Sequence, residues 1–271
     1  MLIISNKIMS TDDINKEYNL KPLEEKIVNT MTSSNQMYRF DSLKELKFEL
    51  DLRLSIIKAS RDLYKSNFRF RVFKEAKCNP KYWTLTSEGG FLLKRGVEPY
   101  AAIEDIYLNS SMYGTECSTA IVILYYKALL DILPRKLFNR LFDHIYLMNW
   151  KYLDDDLGIA TYSNVIDYFP GDCRYFKNPD VNPKTPEWQG ENAIDLGNGT
   201  YYGHGIGIKT ADEIIKELNK NRKEGSTKSA YLMDTATRLD FKYLAKQYIK
   251  FESRLIMLRH YPFAANFLSI N

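Results

Sequence analysis

Residues 113–133 read YGTECSTAIVILYYKALLDIL and place Cys117 at the point where a loop becomes a long helix. The stretch from Cys117 onward is apolar on nearly every side, which is typical of a helix buried at the centre of a domain. Pro134 follows directly and is expected to end this helix and to start a short one after it. The sequence therefore predicts a central buried helix whose first residue is a cysteine.

This position makes Cys117 a candidate nucleophile. The positive end of the helix dipole and the free backbone amides favour a thiolate over a thiol at the first residue of a helix. The same amides can hold an oxyanion beside the sulfur. In the alternative interpretation Cys117 only packs, because a free cysteine is a common core residue. The presence of catalytic partners decides between the two interpretations.

Candidate partners lie on a predicted β-hairpin. The dipeptide Asn198-Gly199 is a strong signal for a two-residue turn between two strands. Such a turn pairs Ala193 with His204, and Glu191 becomes a diagonal neighbour of His204 on the same face, roughly 7–8 Å away at the backbone. A cysteine, a carboxylate and an imidazole would supply a nucleophile, a proton-transfer group and an orienting group. The pattern predicts papain-like thiol chemistry.

Hydrophobic periodicity and turn signals predict an α+β fold in which the central helix lies on a small antiparallel sheet, with additional helices. Helices are predicted over residues 41–66, over 99–108 and from a capping box at residues 210–213 to residue 225. Strands are predicted over residues 144–152, 172–176, 191–196, 200–208 and 229–234, and a helix with an aromatic tail over 241–271.

The composition excludes several classes of protein. The chain has 271 residues, of which 45% are hydrophobic and 27% charged, so intrinsic disorder is excluded. The net charge is +4 and no basic stripe precedes residue 209, so we expect no nucleic-acid partner. The longest apolar run, residues 120–126, is too short to span a membrane, and residues 1–8 do not resemble a signal peptide. We expect an intracellular protein.

No metal site is expected. The three cysteines, Cys78, Cys117 and Cys173, are widely spaced and support neither a disulfide framework nor a zinc site. The run of aspartates at residues 154–156 lacks the alternation and the closing glutamate of an EF-hand, and is interpreted as a solvated turn.

Four segments, in this order and spacing, resemble the bacterial spore-coat transglutaminase family. They are ECSTAIVI (residues 116–123), PGDCRYFKNP (170–179), WQGEN (188–192) and YGHGIG (202–207). The RLD segment at residues 238–240 also fits. That family is similar to the cysteine peptidases of the NlpC/P60 type, which have a papain-like core with the nucleophile at the start of a helix.

The resemblance implies a single catalytic domain over residues 1–271. Within it we expect an N-terminal extension over residues 1–37, a family core over 38–240 and a C-terminal helix and tail over 241–271.

The reaction that the resemblance implies is acyl transfer. Cys117 would attack the γ-carboxamide of a protein glutamine, release ammonia and form a thioester, and a lysine amine would then take the acyl group. NlpC/P60 enzymes carry a histidine where this chain has Glu191, and their third polar group lies where this chain has His204. The exchange assigns proton transfer to Glu191 and an orienting or polarising role to His204, and Glu116 would partly substitute for Glu191.

The resemblance also implies a hydrophobic tunnel that excludes water and accommodates the methylenes of lysine. Trp150 and Trp188 are its expected walls, together with Phe68 or Phe70. For the two phenylalanines, plain core packing is the favoured alternative.

The implied partners are spore-coat proteins, which would serve as glutamine donors and lysine acceptors. Self-cross-linking through the lysines of residues 209–228 is a further option. The resemblance implies no cofactor, independence from calcium and a location in the mother-cell cytoplasm or on the forming coat.

Two alternatives stay open: a cysteine amidase or peptidase of the NlpC/P60 type that acts on cell-wall peptides, and a non-catalytic coat component.

Overall fold

The structure is a computed structural model that describes the backbone of residues 1–260 and the side chains of residues 1–257. Its eight α-helices are α1 (Thr11–Tyr18), α2 (Pro22–Ser33), α3 (Leu43–Lys65), α4 (Pro99–Leu108), α5 (Cys117–Ile132), α6 (Arg135–Leu141), α7 (Ala211–Asn219) and α8 (Phe241–His260). The predicted tail beyond residue 260 lies outside the described residues. None of the helices within residues 1–260 has the length and apolar character needed to cross a bilayer.

The strands of the described residues are short. They are β1 (Leu2–Ile4), β2 (Lys7–Ile8), β3 (Tyr38–Phe40), β4 (Arg69–Phe70), β5 (Trp83–Leu85), β6 (Phe91–Leu93), β7 (Gly114–Thr115), β8 (Tyr146–Leu147), β9 (Ala160–Ser163), β10 (Cys173–Lys177), β11 (Gly190–Asp195), β12 (Thr200–Gly203), β13 (Gly207–Thr210), β14 (Tyr231–Leu232) and β15 (Thr235–Arg238).

The central helix α5 forms because its side chains are apolar all round. Its residues from Ser118 to Tyr126 are all buried, whereas Cys117 before them and Lys127 after them are partly exposed. The helix packs against α3, α4 and β11. The predicted α+β fold, with a cysteine at the start of a central helix packed on an antiparallel sheet, is confirmed.

The main sheet has the strand order β13-β12-β11-β10-β15-β9, and β14 pairs with β10 beside β15. All its pairs are antiparallel. One face carries Ile194 and Tyr202 into the core around α5. The other face carries Phe176 and Ala193 against Ile214 of α7.

The hairpin between β11 and β12 differs from the prediction by one residue. Ala193 pairs with Gly203 rather than with His204, because the turn contains three residues, 197–199, instead of two. Gly197 has a φ of +80°, a left-handed conformation that glycine adopts without strain. The predicted register was therefore wrong, and His204 lies just beyond the end of β12.

Two predicted strands were also too long. Residues 200–208 form β12 and β13, which pair with each other through a turn at residues 204–206. The turn is possible because Gly205 has a φ of +102°, and Phe70 packs against it where a side chain would otherwise stand. Of residues 144–152, only Tyr146–Leu147 forms a strand.

The first 40 residues fold onto helix α3. Strand β1 pairs in parallel with β3 and antiparallel with β2. Leu2, Ile14 and Ile27 are fully buried and share a second apolar cluster with Leu46 and Leu50 of α3. Helix α3 therefore has apolar contacts on both sides, which explains why it is long and mostly buried.

A buried ion network joins α3 to the start of β10. The carboxylate of Asp172 is fully buried and accepts hydrogen bonds from Arg53 at 2.8 Å and from Arg238 at 2.8 and 2.6 Å. The Arg53 guanidinium lies over the rings of Phe169 and Phe241, at 4.9 and 4.4 Å from their centroids. The network holds the start of β10, directly after the turn at residues 170–172, against α3.

Candidate active site

Cys117 is the first residue of α5, and Glu116 is its N-cap. The Glu116 carboxylate accepts hydrogen bonds from the backbone N–H groups of Ser118 at 2.6 Å and Thr119 at 2.7 Å, and from the hydroxyls of both residues. The amides of Ser118 and Thr119 are therefore occupied by a carboxylate, whereas the sequence predicted free amides at this helix start.

The sulfur of Cys117 faces strand β11. The side-chain amide of Asn192 lies 3.8 Å from Sγ, and both this amide and the Asn192 backbone N–H lower the pKa of the thiol. Larger effects oppose them: burial, and then the charges of Glu191 and Glu116, hold the pKa of Cys117 well above its usual value. These effects favour the thiol in the resting enzyme, whereas the helix start taken alone predicts a thiolate.

Glu191 is buried, with 5% of its surface exposed. Burial, followed by repulsion from Glu116, raises the pKa of its carboxyl group well above the usual value, and the backbone N–H of His204 opposes this shift. Its Oε1 atom has no hydrogen-bond partner among the described residues. The side chain lies against Gly203, where an added Cβ would come within 2.8 Å of it.

His204 is buried beside Phe68, with their ring centroids 4.9 Å apart. Its Nδ1 atom lies 3.1 Å from the hydroxyl of Tyr202, and Nε2 has no hydrogen-bond partner among the described residues. Burial lowers the pKa of His204 to about 4, so the ring is neutral at pH 7. The contact between His204 and Glu191 is made by the histidine backbone and not by the imidazole.

A cavity of about 740 Å³ opens above Cys117. It is lined mainly by apolar surface, and its walls are Phe70, Val72, Phe73, Glu116, Cys117, Ser118, Asn149, Trp150, Thr161, Tyr175, Pro186, Glu187, Gln189, Gly190, Asn192, Met233, Thr235 and Thr237. Glu191 and His204 are not among its lining residues, although the Glu191 carboxyl group is close enough to Cys117 to act on the pKa of the thiol.

Only part of the predicted aromatic wall reaches this cavity. Trp150 and Phe70 line it. Phe68 is buried in the main core, as the packing alternative expected. Trp188 does not line the cavity either; it ends the 3₁₀ turn before β11 and packs with Phe176 and Ala193 on the face of the sheet that carries α7.

The loop that carries Trp150 is attached to the start of α5. The backbone N–H of Asn149 donates to Oγ1 of Thr119 at 2.8 Å, and Thr119 in turn donates to Glu116. Asn149 has a φ of +42°, a conformation that asparagine adopts more readily than most residues. Asn149, Thr119 and Asn192 were missed as site residues by sequence reasoning, since each acts through a contact between distant segments.

Lowering the pH from 7 to 5 is expected to destabilise the wild-type protein more than a His204→Gln variant. The folded state keeps His204 neutral while the unfolded chain takes up a proton, so the stabilisation is complete above pH 6.5 and is lost as the pH falls toward 4. At pH 5 the loss is about 2 kcal/mol. The raised pKa of Glu191 changes the unfolding free energy with pH in the opposite direction. Glu191 is present in both proteins, so its contribution cancels when the two are compared.

Urea unfolding of both proteins at the two pH values measures this difference. An equal change of the unfolding free energy in wild type and variant would contradict the neutral, buried state of His204.

Comparisons with known proteins agree on one family. The family model described as "Protein-glutamine gamma-glutamyltransferase" matches residues 1–248. Proteins of that name from Bacillus cereus (strain B4264) and Bacillus anthracis are 44% identical over 246 and 245 residues, which is 91% and 90% of this chain and 88% of each relative.

A solved structure is also similar. It is the transglutaminase from Geobacillus stearothermophilus without its C-terminal extension, with a TM-score of 0.72 and 50% identity, and the match covers 76% of this chain and 97% of that one. This likeness is consistent with the predicted papain-like core. The chain therefore belongs to the protein-glutamine gamma-glutamyltransferase family, the transglutaminases.

Proposed function

We propose that this transglutaminase forms γ-glutamyl–ε-lysyl cross-links through a thioester on Cys117. The observation that carries the proposal is the position of this thiol at the wall of an apolar cavity, beside the amide of Asn192 and within the electrostatic reach of a buried carboxyl group, Glu191. Nucleophile, polar donor and proton-transfer group are the parts that acyl transfer requires.

In the first half-reaction the thiol proton of Cys117 passes to Glu191, and the sulfur attacks the carboxamide carbon of a glutamine. The C–N bond then breaks, and the proton leaves with ammonia. In the second half-reaction a lysine amine attacks the thioester carbon, gives a proton to Glu191 and displaces the sulfur, which takes the proton back. Glu191 suits this role because burial raises the pKa of its carboxyl group above the usual value, and its Oε1 has no hydrogen-bond partner among the described residues.

The amide of Asn192 supports the thiolate when it forms. Its side-chain and backbone N–H groups both favour the charged sulfur, and they take the place of the helix amides that Glu116 occupies. The Glu116 carboxylate accepts hydrogen bonds from four donors, so we assign Glu116 the role of capping the helix. It would transfer protons only in the absence of Glu191.

Incubation with a glutamine-containing protein and a labelled primary amine tests the function. Incorporation of the amine with release of ammonia supports cross-linking, and an equal rate in the presence of EDTA supports the proposed independence from calcium. Hydrolysis of wall peptides without amine incorporation would instead indicate the amidase or peptidase alternative. Neither activity would indicate a non-catalytic component.

Replacement of Glu191 by glutamine is expected to reduce the rate of acyl transfer by at least about 100-fold, the usual contribution of a general acid–base group. His204→Ala should have a smaller effect, because the neutral imidazole does not carry the proton. Where Glu191 is ionised, its charge raises the pKa of Cys117, and the Glu191→Gln change removes that effect. At an alkaline pH at which the wild-type carboxyl group is ionised, alkylation of Cys117 by iodoacetamide should therefore become faster in the variant while catalysis becomes slower.

The opposite responses of alkylation and catalysis distinguish a proton-transfer role from structural damage, which would slow catalysis without lowering the pKa of the thiol. A larger loss of rate in His204→Ala than in Glu191→Gln would assign the proton to the imidazole instead.

We further propose that the substrates are spore-coat proteins and that the enzyme works in the mother cell or on the forming coat. Motif resemblance supports this, and relatives of the same name come from Bacillus species. A fluorescent fusion followed through sporulation tests the location. Purified coat proteins compared with unrelated glutamine-rich proteins test the substrates, and mass spectrometry of lysines 209–228 tests self-cross-linking.

A further inference from the structure

The cavity above Cys117 is notable for the sign of its charges. Among its lining residues only Glu116 and Glu187 are charged, and neither lysine, arginine nor histidine contributes to the wall. Glu116 is already neutralised in part by four hydrogen-bond donors of α5. Glu187 is the carboxylate of this wall that is left for a ligand.

Glu187 stands in the short 3₁₀ turn Pro186–Trp188 that leads into β11. It is exposed, and it makes neither an ion pair nor a side-chain hydrogen bond with any residue among 1–257. The preceding residue Pro186 and the nearby Gln189 line the same cavity, and the exposed Glu187 carboxylate stands at its rim. A ligand that enters past it meets one negative charge and then an apolar wall.

The apolar wall fits the stem of an aliphatic amine. Phe70, Phe73, Trp150 and Tyr175 present aromatic surface to the cavity. Such rings accommodate methylene groups and also attract a cation over their faces. An apolar chain with a positively charged end matches both the rings and the rim carboxylate, whereas an anionic or a purely polar ligand matches neither.

We propose that Glu187 attracts the ammonium group of the incoming acyl acceptor at the entrance of the cavity and gives the enzyme a preference for cationic amines. This inference rests on the proposed function, since it concerns the second substrate of the same site. The ammonium group must lose its proton before it attacks the thioester, so Glu187 acts in binding and not in the chemical step. Its removal should change KM for the amine and leave kcat unaltered.

Two acceptors of equal length test this role. n-Pentylamine is a cation at neutral pH, whereas O-butylhydroxylamine has an oxygen in place of the methylene next to nitrogen and is uncharged. In Glu187→Gln, KM for n-pentylamine should rise roughly two- to fivefold, the range of an exposed ion pair, while KM for O-butylhydroxylamine stays constant. Glu187→Lys should give a larger rise for the cation, and added salt should weaken the preference of the wild type.

Glu25→Gln provides the matched control, since Glu25 is an exposed glutamate on α2 and its replacement changes the net charge equally. This variant should behave as wild type with both amines. If the wild type incorporates n-pentylamine but its KM is unchanged in Glu187→Gln, the role of Glu187 is overturned and the proposed function is not affected. Failure of the wild type to incorporate either amine would overturn the proposed function instead.

Discussion

Replacement of Cys117 by alanine is expected to reduce amine incorporation at least about a thousandfold, as loss of a nucleophile does in enzymes that use covalent catalysis. The reason is that no thioester can form without the sulfur. The fold should persist, because Cys117 is partly exposed and alanine is the residue best suited to a helix. The measurement is incorporation of a labelled amine together with the urea unfolding free energy, which should change by no more than about 1 kcal/mol.

Cys78→Ala is the control for this experiment. Cys78 is also a partly exposed free cysteine, and burial raises the pKa of its thiol to about 11, but it does not line the cavity. This variant should keep full activity. Substantial incorporation by Cys117→Ala would remove Cys117 from the role of nucleophile, and loss of activity in Cys78→Ala would contradict the expectation that Cys78 has no part in the reaction.

The largest expected effect on stability is that of Asp172→Asn, a loss of about 3–5 kcal/mol. Burial by itself would raise the pKa of Asp172, but the charges of Arg53 and Arg238 outweigh it and lower the pKa. Neutralisation of the carboxylate leaves Arg53, which is 1% exposed, as a buried cation beside its remaining partner Glu49. Urea unfolding monitored by circular dichroism measures the loss.

Asp62→Asn is the matched comparison, since Asp62 also forms an ion pair, with Lys58 at 2.7 Å, but in solvent. Exposed pairs contribute up to about 1 kcal/mol, so this variant should be nearly as stable as wild type. Similar losses of unfolding free energy in the two variants would mean that the buried Asp172 network stabilises the fold no more than an exposed ion pair does. Because Asp172 directly precedes β10, which pairs with β11, the Asp172→Asn variant should also disturb the placement of Asn192.

The helices of the fold could be predicted from local pattern alone. Helix α4 has the predicted bounds, and α3 and α5 differ from their predictions by one or two residues at the ends. Their apolar spacing, the prolines and the capping residues are all local signals. The Thr210 capping box likewise forms as predicted, although α7 ends at Asn219 and not at Gly225.

The sheet and the site depended on information that local pattern does not contain. A single additional turn residue, Gly197, shifted the hairpin register, and Gly205 split one predicted strand into two. The contact of Asn192 with Cys117 joins residues 75 positions apart, and no spacing rule indicates it. Trp188 was assigned to the tunnel by resemblance, but it does not line the cavity and packs against the apolar cluster beside α7.

The N-terminal segment was the least predictable part of the fold. Its strands are only two or three residues long, too short for a clear alternation. Parallel pairing of β1 with β3 brings together segments more than thirty residues apart, and it becomes favourable only when α1 and α2 cover the apolar side. The sequence contained one signal for this segment. Helix α3 has more apolar residues than a single buried face requires, which indicates that a second segment covers its other side.

The carboxylate cap of α5 has a consequence for the durability of the enzyme. Peroxide and other electrophiles attack cysteines in proportion to the ionised fraction of the sulfur. With Glu116 on the helix amides and Glu191 nearby, that fraction is small until a substrate carbonyl arrives. We therefore expect an idle molecule to resist oxidative inactivation of this sulfur.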